Sequence, residues 1–396
     1  MASKKHSQGD LFDFAGTLNE YAFVPSEKSL YDIDGWCDTG IKILNAALSD
    51  SDIDKGLVAG KRYVIAGENS TAKTLISLQI ASKFLNAGKH NRIIYFESEG
   101  AVLKQHLEEV GIDMSRIKFM PVAFIEDFRS QSIKLLDKYL LMKKAHKAKP
   151  AENEDPGELT IILDSLGMLN TYDESEKIIA ESETKSMTKS QLIASTYRQL
   201  AMRLAISKAT LITIQHVHNE QGKKSGGFAS FGAQKKVIAG GETLKFCGDV
   251  IIYLSKTNEY ENSKGEGSTK EDNAVKFTSS AKVGIKTTME IIKSRLMRDN
   301  VKFPLTILYG VGILPYSGLF QYGIDAGVFQ LRSNMYENTM TGKKFYKKDI
   351  VERPEEIYDA ETLAVIRNHI YQAYSLFGKP SLDQEDVKNF IESENA

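Results

Sequence analysis

The sequence predicts an α/β fold with a central, mostly parallel β-sheet flanked by helices, and three observations predict it. Five short apolar runs are rich in β-branched and aromatic residues and bounded by polar residues or glycine: KRYVIAG (61–67), NRIIYFES (91–98), LTIILDS (159–165), TLITIQH (210–216) and DVIIYLS (249–255). Buried strands of a parallel sheet read this way. Helical periodicity separates several of the runs, the alternation that builds α/β layers. The first run also leads directly into AGENSTAKT (66–74), one residue short of the pattern G-x-x-x-x-G-K-[ST], and then into a helix.

Taken in order, residues 1–35 are polar with scattered aromatics and form a short N-terminal extension. The strand-helix alternation starts at Trp36. The helix predicted over 74–88 carries Leu75, Leu78, Ala81 and Leu85 on one stripe, with Gly88 as its terminating residue. KKAHKAKPAENEDPGE (143–158) reads as an exposed insertion, and 190–207 as a second helix with Leu192, Thr196, Leu200 and Leu204 in register. KTNEYENSKGEGSTKEDN (256–273) has the composition of a hairpin tip. Beyond Tyr316 the pattern changes to a mixed region with a helix over 361–378 and an acidic last stretch. The expected division is an extension at 1–35, a core at 36–315, and a small α+β C-terminal region with an acidic tail at 316–396.

Composition excludes some functions. Across 396 residues, 51 Lys and Arg face 52 Asp and Glu, so any polyanion site must be a local patch. Cys37 and Cys247 are the only cysteines, too few for a disulfide framework or a cysteine zinc site. No signal-peptide core or run of about 18 apolar residues occurs, so no membrane partner is expected and a cytoplasmic protein is.

A phosphate cradle needs a strand, a loop whose N–H groups curl around anionic oxygens, and a helix that starts there. Gly67, Glu68, Asn69, Ser70, Thr71, Ala72, Lys73 and Thr74 stand in that order and context. Lys73 is the candidate for the β- and γ-phosphates, and the Thr74 hydroxyl for Mg²⁺. Ala72 replaces the second glycine, a change tolerated where φ stays negative. Asp164, ending its strand, suits a partner of the loop's Mg²⁺. Glu97 and Glu99 follow another strand as candidates to orient an attacking water, or are simply solvated loop acids. Gln215 and His216 end a third, where strand ends of a parallel sheet converge on ligand.

Two segments suit a nucleic acid. NEQGKKSGGFASFGAQKKVIAGG (219–241) interleaves Lys223, Lys224, Lys235 and Lys236 with Phe228 and Phe231 among six glycines. Lysines neutralise phosphates and rings stack on bases of a single strand, whereas a solvated loop needs neither. Near 177–190, Lys185, Met187 and Lys189 precede a helix carrying Arg198, with several acids interleaved.

Three further segments carry a family resemblance: AGGETLKFCGDVIIYL (239–254), DTGIKILNAALS (38–49) and IIKSRLMRD…LTILYGVGILPYSGL (291–319). Together with the phosphate loop they resemble the RecA family of recombinases, and most of all its phage UvsX-type branch, over residues 36–320. The resemblance implies a RecA-like P-loop ATPase core with ATP and Mg²⁺ as cofactors. It also implies a homo-oligomeric helical filament on single-stranded DNA, pairing and strand exchange with double-stranded DNA, DNA loops near 177–190 and 217–240, and help from single-strand-binding and loader proteins. A bacterial cytoplasm, with a phage as source, would be the setting. By register Glu99 matches the catalytic glutamate, Asp164 the Mg²⁺ aspartate, and His216 the γ-phosphate sensor. Lys293 and Arg295 match two basic residues that reach ATP from the neighbouring protomer, Phe246 an interface aromatic, and His106 a residue that stacks on adenine. FDFA (Phe12–Ala15) resembles the family's polymerisation tether. A hexameric DNA helicase on the same core and a non-hydrolysing recombination accessory are the alternatives.

Overall fold

The computed structural model describes residues 11–23, 32–49, 52–179, 188–219, 236–238, 248–261, 282–299, 301–309 and 311–374. In chain order the elements leading to the core are α1 (Leu11–Leu18), β1 (Trp36–Cys37), α2 (Lys42–Leu48), β2 (Leu57–Val58), β3 (Arg62–Gly67), α3 (Lys73–Ala87), β4 (Arg92–Glu97), α4 (Lys104–Val110), β5 (Ile117–Pro121), α5 (Ile125–Ala148) and β6 (Leu159–Asp164). There follow α6 (Tyr172–Ile179), α7 (Thr188–Ser207), β7 (Thr210–Asn219), β8 (Lys236–Ile238), β9 (Val250–Glu261), β10 (Lys282–Ser294), β11 (Val301–Leu308) and β12 (Gly312–Ile313).

Nine strands lie side by side in the order β12-β11-β10-β9-β3-β7-β6-β4-β5. The block from β9 to β5 is parallel throughout, and β10, β11 and β12 extend it as an antiparallel wing. Strand periodicity sorts the core onto the sheet's two faces. Tyr63 and Ile65 join Tyr95, Ile162, Ile212 and Ile252 in one cluster with α2 and α3. Val64 and Ala66 join Phe96, Ile161, Leu163, Leu211 and Ile251 in the other, under α5 and α7. Both faces are covered, so the parallel strands read as continuous apolar runs. The strands of the wing alternate instead, as the buried-exposed pattern of β11 does.

Several expectations need correction. Residues 143–148 are not part of an exposed insertion but the last turns of α5, whose register continues through them. Gly88 is extended (φ −156°), not left-handed; the end of α3 is closed instead by the Asn91 side chain donating to Phe84 O at 2.8 Å. The first residues of the 256–273 stretch belong to β9, which pairs antiparallel with β10 as far as Glu261 opposite Lys282.

The C-terminal region holds a small antiparallel sheet of β13 (Phe329–Arg332), β14 (Met335–Asn338) and β15 (Lys344–Phe345), and a helix over Ala360–Tyr374. It packs on the core: Ile366 and Ile370 are fully buried in the first cluster, and Tyr316 stacks on Tyr358 at 4.8 Å between centroids. Helix α1 carries the FDFA stretch and leaves Phe14 exposed. The chain just after it meets α5 through Lys144, which pairs with Glu20 at 2.8 Å and sits over the Tyr21 ring. Among the described residues no helix is long and apolar enough to cross a membrane.

Candidate active site

Parallel strands bring their carboxyl ends to one edge, and the loops leaving that edge build the site. Gly67 ends β3 in a space that takes no side chain: a Cβ there would stand 2.7 Å from Leu254 O. The loop then alternates into the left-handed region at Ser70 (φ 60°) and Ala72 (φ 67°). Ala72 is therefore not at the negative φ that its tolerance assumed. Its methyl is carried in a conformation that costs a non-glycine residue about 1–2 kcal/mol. Such alternation turns successive N–H groups inward into an anion-binding concavity, and α3 starts there with no side-chain cap on its first turn.

Lys73 is buried and turns its ammonium onto the loop itself, donating to Glu68 O at 2.7 Å and Gly67 O at 3.1 Å. Burial holds its pKa below the ordinary lysine value, against the raising pull of Asp164, Glu99 and Glu68. Thr74 Oγ1 donates to Asp164 Oδ2 at 2.8 Å, and Tyr95 OH reaches the same oxygen at 2.8 Å. Burial raises the Asp164 pKa, although both hydroxyls lower it, and Glu99 and Glu97 add to the rise. The cradle's uncapped N–H groups, a lysine satisfied only by carbonyls, and a hydroxyl-carboxylate pair fit a nucleotide's phosphates and a hard cation.

Glu97 and Glu99 divide their duties. Glu97 Oε1 accepts the N–H groups of Glu99 (3.1 Å) and Ala101 (3.3 Å), which makes it a loop brace. Glu99 faces the cradle, where its Oε1 accepts from Ser165 Oγ (2.6 Å) and meets His216 Nε2 (2.8 Å). Burial opposes ionisation of Glu99, but these bonds and the charge of Lys73 outweigh it and hold the carboxyl below its usual range. His216 Nδ1 lies 3.0 Å from Asn69 Oδ1, so one ring links the phosphate loop to the carboxylate. Its neighbour Gln215 points the other way and is buried beside Gly167, as strand alternation requires. Directly after His216, β7 pairs antiparallel with β8 from Val217 opposite Ile238 to Asn219 opposite Lys236. Lys236 thus opens the strand that returns from the lysine-rich stretch.

Lys293 and Arg295 stand apart from this cluster. Arg295 Nη1 lies 3.3 Å from Asp249 Oδ1, and Asp249 also holds the Arg62 guanidinium and N–H at the start of β3. Arg62 is five residues from Gly67 along β3, which puts about 17 Å between Arg295's anchor and the cradle. Lys293 pairs with Ile251, itself opposite Val64, and donates to Gly248 O at 2.8 Å, away from the loop. His106 is exposed on α4, where its Nδ1 accepts the Leu103 N–H at 3.3 Å. On α7, Lys189 and Arg198 are nine residues apart, about 180° around the helix, so they do not share one face. Lys185, Met187, Lys223, Lys224, Phe228, Phe231, Lys235 and Phe246 lie outside the described residues.

Sequence reasoning missed Tyr95, Ser98, Ser165, Arg62 and Asp249. Ser98 Oγ accepts the Ser165 N–H at 2.7 Å and has the carbonyls of Asp164 (3.0 Å) and Ser165 (2.9 Å) as alternative acceptors for its one proton, tying the two carboxylate-bearing strands together. Tyr95 had a signal, since it lies on the strand leading to Glu97 with a polar end that burial obliges to find a partner. A charged residue opening each of two apolar strands marked Arg62 and Asp249.

With this geometry in place, comparison with known proteins gives the family. A family model described as "ATPase: KaiC" matches residues 37–314, most of the chain. The chain belongs to this KaiC-type ATPase family. Its core is RecA-like, a large mostly parallel sheet with the phosphate loop at its carboxyl edge. It is 22% identical over 289 residues to the "Recombination and repair protein" of Enterobacteria phage T4, covering 73% of this chain and 63% of that protein. The match to "Protein RecA" of Rubrobacter xylanophilus is 23% over 321 residues, covering 80% and 79%. That to the RecA of Mycoplasma pneumoniae is 22% over 373 residues, covering 93% and 96%. The chain thus spans less than two thirds of the phage relative's length.

Proposed function

We propose that this KaiC-type ATPase is an ATP-dependent recombinase. It assembles as a head-to-tail filament on single-stranded DNA, pairs that strand with homologous duplex, and exchanges strands. The observation that carries it is the distance along the sheet between the Lys73 cradle and the Arg295 anchor, about 17 Å. A chain that keeps its phosphate cradle at one end of the sheet and two matched cations at the other completes a site only against another copy. Repetition of such a heterologous contact gives a filament or a ring. The similarity to a protein named for recombination and repair, and to RecA proteins, favours the filament.

In each site Lys73 and the first turn of α3 bind the phosphates, and Thr74 and Asp164 hold Mg²⁺. The metal, when bound, would neutralise the phosphate oxygens as charge shifts between them. Glu99 orients the attacking water, since its second carboxylate oxygen is not engaged by Ser165 or His216. His216, bridging Asn69 and Glu99, responds to an occupied loop and passes the change into β7 and the lysine-rich stretch beyond it. Lys293 and Arg295 approach from the neighbour and stabilise the charge developing on the γ-phosphoryl group, a contribution worth several orders of magnitude in related sites. By the family match, His106 would stack on the adenine and Phe246 would serve the contact between copies.

The test is the ATPase rate with and without single-stranded DNA at several protein concentrations, with negative-stain images of the same samples. Cooperative dependence on both, with filaments of open length, is the expected result. Rings of fixed size would favour a hexameric helicase, and no stimulation by DNA a non-hydrolysing accessory.

A further inference from the structure

Asp249 is buried, and its carboxylate is the meeting point of two arginines, one opening β3 and the other directly after β10. Arg62 takes most of it: Nη2 donates to Oδ1 at 2.7 Å, Nε to Oδ2 at 3.0 Å, and its backbone N–H to Oδ2 at 3.0 Å. That is the paired, charge-assisted geometry in which a guanidinium and a carboxylate bind strongly. Arg295 receives what remains, one longer contact at 3.3 Å from Nη1 to Oδ1, supported by its own N–H donating to Asp249 O at 3.0 Å. Only a tenth of the Asp249 side chain and 12% of Arg62 are exposed, against 54% of Arg295.

Two guanidinium charges against one carboxylate leave a positive charge in excess. Arg62 is buried against the anion, so the excess sits on Arg295, which is the more exposed of the two. Arg295 lines a shallow cavity of about 290 Å³ together with Lys61, Arg62 and Asp249, so three cations face one carboxylate and the rim carries a positive excess. One residue earlier, Gly248 O holds Lys293. Both cations are therefore gripped by two adjacent residues, at the point where the chain passes from the 239–247 stretch into β9.

We infer that Asp249 is a positioning residue for hydrolysis at the seam between copies: it aims Arg295 at the neighbour's nucleotide while Arg62 carries the neutralising charge. The inference rests on the function proposed above. An aspartate alone beside Arg295 would hold it too well and cancel it. Shared with Arg62, it fixes the direction of the guanidinium and leaves its charge for the phosphate. A cation misplaced by even an ångström at such a site loses on the order of a hundredfold in rate.

Trans-complementation on single-stranded DNA tests this. Asp249→Asn should lower DNA-stimulated turnover by about tenfold to a hundredfold, with ATP binding by the unassembled chain unchanged because the cradle is untouched. Mixing it with Lys73→Ala should restore activity beyond either variant alone. In an equal mixture about a quarter of seams join an intact cradle to intact cations across a heterologous contact. Arg295→Ala mixed with Lys73→Ala is the control. If that control recovers and the Asp249→Asn mixture does not, the positioning role is overturned and the shared site stands. If neither recovers, the shared site fails and the inference with it. Full turnover by Asp249→Asn alone also overturns it. Should Asp249→Asn not fold, Arg62→Gln with Asp249→Asn removes the buried pair together, which is better tolerated than leaving one charge unpaired, and the same mixtures are read.

Discussion

His216 Nε2 lies 2.8 Å from Glu99 Oε1, while the other ring nitrogen lies 3.0 Å from Asn69 Oδ1 in the phosphate loop. A residue within β7 thus connects the loop that would bind a nucleotide to the carboxylate that would direct water at it. Strand β7 goes on beyond this point to pair with β8. A shift of the imidazole has a direct mechanical route into that hairpin base.

The first prediction concerns Glu99. Glu99→Gln should abolish hydrolysis and leave ATP binding intact, measured by turnover and by fluorescent-nucleotide titration. The same variant reports on pH. Glu99 is held below its usual pKa of 4.5 by Ser165, His216 and Lys73 despite burial, so the unfolded chain binds its proton more readily than the folded one. Its contribution to stability is present above that usual value and is lost as pH falls through the lowered one. Urea unfolding from roughly pH 6 down to pH 3 should show a flatter acid limb for Glu99→Gln.

Lys73→Ala should reduce turnover by at least about a hundredfold, the cost of removing one preorganised donor from developing charge. Removing Lys73 also leaves the carbonyls of Gly67 and Glu68 facing the cradle without their donor. ATPase activity within a fewfold of wild type would contradict the assignment of the loop.

At position 72 the expected change is a gain. Ala72→Gly relieves the positive φ, offset in part by the greater freedom of glycine in the unfolded chain. A net stabilisation of up to about 1 kcal/mol is expected by chemical denaturation, and a loss of stability would show that the methyl packs favourably.

Tyr95→Phe removes one of the two hydroxyl donors on the buried Asp164. The expected cost is about 1–2 kcal/mol in unfolding free energy, since a hydrogen bond to a buried carboxylate is lost. The pKa of Asp164, already raised by burial, should rise further, so binding of Mg²⁺ with nucleotide should release more protons at mildly acidic pH. Calorimetric titration in buffers of different ionisation enthalpy reads that release.

Lys235→Ala with Lys236→Ala should weaken binding to single-stranded DNA and lower the slope of log affinity against log salt by about two at most. An unchanged slope would place the strand elsewhere.

Local pattern determined much of this molecule. β-Branched runs bounded by polar residues specify five of the core strands, and the spacing of Lys73 and Thr74 after a strand specifies a phosphate loop at its end. Both signals work because a residue's neighbours in sequence are also its neighbours in a strand, a loop or a helical turn. Strand order is not written in that local way. Only the folded sheet brings Arg62 to Asp249 across 187 residues, or sets Tyr95 on Asp164 and His216 on Glu99. It also keeps Lys293 and Arg295 away from the phosphate cradle of their own chain. Ala72 is the same lesson in miniature: its identity was plain, but its left-handed backbone is imposed by the strand and helix on either side.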